Sequence, residues 1–131
     1  MGVMEQFNLA QRVAVVTGGS KGLGRAMATG LAEAGARVAV VSRTRSLIEE
    51  TAAEIVGKGG EAMAVPADAT REEDVEAMTA QVLAAYGRID ILINNAGIGG
   101  SKRSADLTLE DWERLMNTNA RSVFLACRAV G

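Results

Sequence analysis

The chain has 131 residues, 48% hydrophobic and 23% charged, the size and balance of one globular domain able to bury a core. Its net charge of −2 offers no broad basic surface to a nucleic acid, and its apolar runs fall far short of the ~20 residues of a membrane span. With no histidine and one cysteine, Ser-His-Asp and Cys-His catalysis, histidine metal sites, cysteine zinc sites and internal disulfides are excluded within it.

In chain order, Arg12 to Thr17 is an apolar strand run, followed by the glycine-rich stretch Gly18 to Gly24. Leu23, Ala26, Met27, Gly30, Leu31 and Ala34 then recur at helical spacing, and Gly35 ends that helix. Arg37 to Val41 reads as a second strand. The next helix carries Leu47, Ile48, Ala52, Ile55 and Val56 on one side, with Ser46 and Glu49 as a capping box and Gly57, Gly59 and Gly60 as its stop. Ala62 to Val65 is a short third strand with Pro66 at its exit. Thr70 with Glu73 suggests another capping box before a helix whose apolar face is Val75, Met78, Thr79, Val82, Leu83 and Tyr86. Gly87 breaks it, and Ile89 to Ile93 is a fourth strand. Beyond a polar loop, Thr108 with Asp111 opens a last helix, with Trp112, Leu115, Met116, Val123, Phe124 and Cys127 on a stripe expected to be buried.

Strand and helix alternate four times, the pattern of a parallel sheet covered by helices on both faces. The expected fold class is α/β: a Rossmann-type doubly wound parallel sheet in the order 3-2-1-4, ending after the fourth βα unit, with residues 1–131 as a single nucleotide-binding domain. Strand four would be an apolar edge unless something pairs with it. The first ten residues lack the charged-then-apolar order of a signal peptide, so a cytoplasmic location is expected.

Thr17-Gly-Gly-Ser-Lys-Gly-Leu-Gly24 lies between the first strand and the first helix, where a phosphate-binding turn belongs. Gly18 would permit the tight turn, Gly22 the close approach of a pyrophosphate, and Gly24 close helix-to-strand contact. The helix N-terminus would offer N–H donors and a positive dipole end. Ordinary turn glycines are the alternative. Gly18, Ser20, Lys21, Gly22, Leu23 and Gly24 are therefore candidate cofactor contacts.

The run Thr17-Gly18-x-x-x-Gly22-x-Gly24, together with Asp68-Ala69, Asn94-Asn95-Ala96-Gly97 and Asn117-Thr118-Asn119, resembles the short-chain dehydrogenase/reductase family in order and spacing. The likeness runs from about Leu9 to Gly131 and is similar in flavour to 3-oxoacyl-carrier-protein reductases and gluconate or sugar dehydrogenases. It implies an oxidoreductase that interconverts a carbonyl and an alcohol on a small molecule by hydride transfer. It also implies that Asp68 bonds the adenine amino group, that Ala69 contributes backbone, and that Asn95, Ala96 and Gly97 lie beside the cofactor ribose. A helix-preceding Asp is the alternative for Asp68, and Asn94 is read as a sheet brace.

An NAD-specific site places a carboxylate at the end of the second strand. Here that stretch is Ser42-Arg43-Thr44, with no acid. A guanidinium would pair with a 2′-phosphate, two hydroxyls would add donors, and Lys21, just before Gly22, is a second cation able to reach the same phosphate. The cofactor expected is NADP(H); the alternative makes Arg43 and Arg45 solvated charges at the start of a helix.

Asn119 stands on the apolar stripe of the last helix, four residues from both Leu115 and Val123. The resemblance makes it the catalytic Asn, which holds a water in a proton relay to the active-site Lys; an Asn satisfied by nearby backbone is the alternative, and Asn117 is an exposed or sheet-facing neighbour. The family's Tyr-x-x-x-Lys pair is absent: the one tyrosine is Tyr86, position 90 is Asp, and the lysines are Lys21, Lys58 and Lys102. The chain alone is therefore expected to be inactive. Two readings stay open. One is the cofactor-binding half of such an enzyme; the other is a non-catalytic dinucleotide-binding or self-assembling module, for which Gly131 would be a natural helix stop. A methyltransferase-type domain fits poorly, because it has no role for Asn-Asn-Ala-Gly. Either open reading allows a homo-oligomer formed through the fourth strand or the last helix, a helix that the resemblance also places at a subunit interface.

Overall fold

A computed structural model describes residues 8–19, 22–95 and 108–131. Strands β1 (Val13–Thr17), β2 (Arg37–Ser42), β3 (Glu61–Pro66) and β4 (Ile91–Asn94) alternate with helices α1 (Gly22–Glu33), α2 (Arg45–Gly57), α3 (Glu72–Tyr86) and α4 (Leu109–Val130). The strands form one parallel sheet in the order β3-β2-β1-β4, the topology expected from the alternation. Val15 stands between Ala39 of β2 and Leu92 of β4.

The unbroken apolar character of β1 and β2 has a direct cause. Successive side chains alternate between faces, and both faces of these strands are covered. Val13, Val15, Ala39 and Val41 pack with Val65, Val75, Met78, Val82 and Leu125 beneath α3 and α4. Val16, Val38 and Val40 pack with Ala28, Ile48, Ala52 and Ile55 beneath α1 and α2. Burying each Val, Leu, Ile or Met among them contributes about 1.5–3 kcal/mol, which makes this double core the main source of cohesion.

The helix faces are narrower than the periodicity suggests. Gly24 and Ala28 are the fully buried residues of α1, whereas Leu23 is 70% exposed. Val56 of α2 and Leu83 of α3 also face solvent. Two expected capping boxes are absent. α2 begins at Arg45 after Thr44, with no side-chain cap, so Ser46 already lies inside the first turn. α3 begins after Arg71, again without a side-chain cap, because the Thr70 hydroxyl donates to Asp68 instead. A capping box does form at the start of α4: Thr108 Oγ1 accepts from the Asp111 amide at 3.0 Å, and Asp111 accepts from the Thr108 amide at 3.1 Å.

The largest correction concerns α4. Its packed face is Ser122, Leu125 and Ala126, while Trp112, Met116, Val123, Phe124 and Cys127 are exposed. Among the described residues the sheet ends at β4, which the helix covers with Ser122, Leu125 and Ala126 while its bulky flank stays exposed. Cys127 accordingly lies on the surface, where its Sγ accepts from Asn94 Nδ2 at 3.5 Å.

β4 is shorter than its apolar run because Asp90 takes over at its start. The Asp90 carboxylate accepts from the Val13 amide at 2.9 Å and from Arg88 at 2.6 Å, with Arg12 at 3.6 Å. The Arg88 hydrogen bond, then the Val13 amide, hold its carboxyl below the ordinary range. A depressed folded pKa means the contribution is complete above the unfolded value, about 3.9, and is lost as pH falls through the folded one. Denaturation midpoints taken from pH 6 to pH 3 should therefore fall more steeply in the wild type than in Asp90→Asn. Parallel slopes would refute the assignment.

Candidate functional site

Strand order reverses between β1 and β4, and their carboxyl ends open the crevice where ligands of such sheets bind. Three loops meet along this edge, and main-chain bonds hold them together beyond the strands. The amides of Gly18 and Gly19 donate to the Val41 carbonyl at 2.7 and 3.3 Å, and the Ala67 amide donates to the Ser42 carbonyl at 2.9 Å. The ends of β1, β2 and β3 thus share one frame.

The glycine turn is built as its spacing implies. Gly18 and Gly22 have φ of +70° and +60°, which side-chain-bearing residues rarely adopt. Among the described residues nothing lies within 4 Å of a Cβ added to Gly22, which leaves that side of the turn open to an incoming group. A Cβ on Gly24 would lie 2.1 Å from the Gly18 carbonyl oxygen and 2.5 Å from Asn95 Nδ2. Gly24 is therefore the point of closest approach between helix and turn. First-turn amides of a helix have no helical acceptor, and those of α1 begin at Gly22 beside this opening.

Asn95 has a part that spacing did not convey. Its Nδ2 donates to the Gly18 carbonyl at 3.2 Å, and its amide donates to Thr17 Oγ1 at 3.1 Å. The buried Thr17 hydroxyl donates in turn to the Ile93 carbonyl at 3.3 Å. Asn95 with Thr17 braces the turn, while Asn94, read from sequence as the brace, bonds Cys127. A hydroxyl closing an otherwise apolar strand was the available signal for Thr17.

Ser42, Arg43 and Thr44 form a tight turn after β2. The Thr44 amide donates to Ser42 Oγ at 3.2 Å, and that hydroxyl lies 3.5 Å from the Thr44 carbonyl. Arg43 stands exposed at the apex, with no hydrogen bond or ion pair to a described residue. Arg45 instead pairs with Glu49 at 3.5 Å.

After β3, Asp68 Oδ1 accepts from both the amide and the hydroxyl of Thr70, at 2.9 and 2.6 Å. The Asp68 amide donates to Asp74 Oδ2 at 2.8 Å, a support the sequence did not reveal. The Thr70 hydroxyl, more than the nearby charge of Arg43, holds the Asp68 carboxyl below its usual range against the effect of burial. Ala69 is half-buried beside it. Asn119 lies on α4, half-buried, and its main-chain carbonyl accepts the Ser122 hydroxyl at 3.0 Å. Ser20, Lys21, Ala96 and Gly97, and the side chains of Leu115 and Asn117, lie outside the described residues. Among the described residues no cluster of acids or cysteine could hold a metal ion, and no helix is long and apolar enough to cross a membrane.

A parallel sheet ordered 3-2-1-4 with a glycine turn at its reversal point defines a Rossmann-type fold. More narrowly, a sequence model described as short chain dehydrogenase matches residues 12–131, and the chain belongs to that family of oxidoreductases, which use nicotinamide dinucleotides. It is similar to a 3-oxoacyl-[acyl-carrier-protein] reductase of Synechocystis, 38% identical over 93% of this chain and 50% of the relative. It is also similar to an NAD-dependent glycerol dehydrogenase of Listeria innocua, 34% identical over 99% of this chain and 50% of the relative. The crystal structure of a short-chain type dehydrogenase/reductase from Mycobacterium marinum superposes with a TM-score of 0.93 at 38% identity, covering 99% of this chain and 53% of that one. The chain spans about half the length of the curated relatives it matches.

Proposed function

We propose that the chain is the cofactor-binding half of an NADP(H)-dependent short-chain dehydrogenase/reductase that interconverts a carbonyl and an alcohol, with residues 1–131 as one nucleotide-binding domain in a cytoplasmic protein. The observation that carries the cofactor choice is Arg43, exposed at the apex of an acid-free turn on the same edge as the glycine turn. Family membership alone leaves the preference open, since the Listeria innocua relative is named NAD-dependent. A carboxylate at that apex would repel a 2′-phosphate, whereas a guanidinium pairs with it.

The residues present fit the cofactor. The opening over Gly22 and the amides of α1 would receive the diphosphate, with Gly18, Ser20, Lys21, Leu23 and Gly24 completing that contact. Ser42, Arg43 and Thr44 would hold the 2′-phosphate. Asp68, kept ionised by Thr70, would accept from the adenine amino group, with Ala69 beneath it. Asn95, Ala96 and Gly97 would border the ribose, and Asn119 would hold a water for proton transfer. When bound, the nicotinamide supplies or accepts the hydride.

Proton delivery to an alkoxide needs a donor such as the family's Tyr-Lys pair, and Tyr86 with Asp90 four residues on does not provide it. Tyr86 packs instead against the core, and burial raises its pKa. Calorimetry should show NADPH binding more tightly than NADH, and no NADPH oxidation over a panel of carbonyl compounds by the 131-residue chain. Absence of binding to either dinucleotide overturns the function; rapid turnover overturns the division of labour. The exposed flank of α4 and the edge of β4 are proposed as surfaces for self-association.

A further inference from the structure

The longest-range contact of the adenine-side loop comes from α4. Arg121 Nε donates to the Thr70 carbonyl at 2.7 Å, joining residues 51 apart in sequence. Seven residues on, and so on the same side of the helix, Arg128 pairs with Glu72 at 2.6 Å. The two guanidinium groups act on different targets. Arg128 fastens helix to helix through side chains, whereas Arg121 holds the main chain of a loop.

Main-chain bonds from the Ala67 amide to the Ser42 carbonyl and from the Arg71 amide to the Asp68 carbonyl hold the two ends of that loop, at 2.9 and 3.0 Å. Thr70 gives both its amide and its hydroxyl to Asp68 Oδ1, and the Asp68 amide is held by Asp74. Hence a succession of bonds runs from Arg121 to the Thr70 carbonyl, and through Thr70 to the Asp68 carboxylate. Among the described residues no hydrogen bond is made to the other Asp68 oxygen, Oδ2, which leaves an acceptor for a ligand. A charged donor on a carbonyl is among the stronger neutral-to-ion hydrogen bonds, and it fixes orientation as well as distance.

We propose that Arg121 is a positioning residue for adenine recognition: by holding the Thr70 carbonyl it sets where the Asp68 carboxylate stands. The inference rests on the cofactor reading above and adds a residue that nothing in the motif pattern singles out.

The test compares NADPH with its hypoxanthine analogue, in which a carbonyl replaces the adenine amino group, on the protein that carries this sequence. Wild type should bind NADPH more tightly than the analogue. Arg121→Met, which keeps the apolar stem but no donor, should weaken NADPH about tenfold, the effect of ~1.4 kcal/mol, and leave the analogue within about threefold. Arg121→Lys should retain most of the discrimination, and Arg128→Met should leave both affinities unchanged. A simple staple between helices predicts equal losses on both ligands, and that outcome, or no loss at all, overturns the proposal. If Arg121→Met fails to fold, Arg121→Leu, which also lacks a donor, carries the same comparison. Wild type that binds both ligands equally overturns the proposal while leaving the diphosphate site standing; wild type that binds neither overturns the cofactor reading itself.

Discussion

Gly24→Ala is expected to destabilise the protein by about 1–3 kcal/mol, the usual cost of forcing a methyl group into a closed contact, and to weaken dinucleotide binding at least ~tenfold. The added Cβ would stand 2.1 Å from the Gly18 carbonyl oxygen, where the obstacle is backbone rather than a flexible side chain. Relief requires the turn to move off α1 or Asn95 to release Gly18, and either movement displaces the amides proposed to receive the diphosphate. Gly30→Ala is the matched control. It lies in the same helix with nothing within 4 Å of its added Cβ, so it should raise stability by about 0.5–1 kcal/mol through helix propensity and leave affinity alone. Urea denaturation and calorimetry on both variants separate the cases. A Gly24→Ala protein with wild-type stability and affinity would show the approach to be unimportant.

Arg43→Asp should reverse the cofactor preference. The substitution removes a charge-assisted contact and sets a like charge against the 2′-phosphate, so NADPH affinity should fall about 30- to 100-fold. NADH, whose 2′-hydroxyl can donate to the new carboxylate, should bind as well as before or better. Folding should be little affected, because Arg43 makes no hydrogen bond or ion pair to a described residue. Arg45→Ala is the control: its partner is Glu49, within the same helix, and an exposed pair of that kind contributes about 0.3–0.5 kcal/mol. An unchanged ratio of NADPH to NADH affinity in Arg43→Asp would end the 2′-phosphate assignment.

What was legible in the sequence was whatever depends on local pattern. Val13 to Thr17 and Arg37 to Val41 read as buried strands because both of their faces are covered, and a run without polar alternation has few other uses. The turn from Gly18 to Gly24 was legible because tight backbone geometry demands glycine at fixed spacing. Illegible were the features decided by distant partners. Thr70 and Glu73 have the spacing of a cap, but Asp68, brought close by the chain turn, takes the hydroxyl. Asp90 delays the start of β4 because Val13 presents its amide to the carboxylate. The stripe on α4 was correctly apolar yet wrongly placed inside, since no periodicity reveals where a sheet stops. Arg121 carried no signal at all: one arginine on a polar helix face looks like any other until Thr70 lies beside it.

The brace on the glycine turn also bears on when the protein becomes able to take up a nucleotide. The bond from Asn95 to Gly18 joins residues 77 apart, with three strands and three helices threaded between them. The proposed anion seat would therefore be no property of its own short segment, and would mature only after β4 has docked against β1. Closing so long a loop is an entropic cost met late in folding. A nucleotide that binds only the finished arrangement would then stabilise the entire sheet by mass action, making occupancy a report on the completeness of the fold.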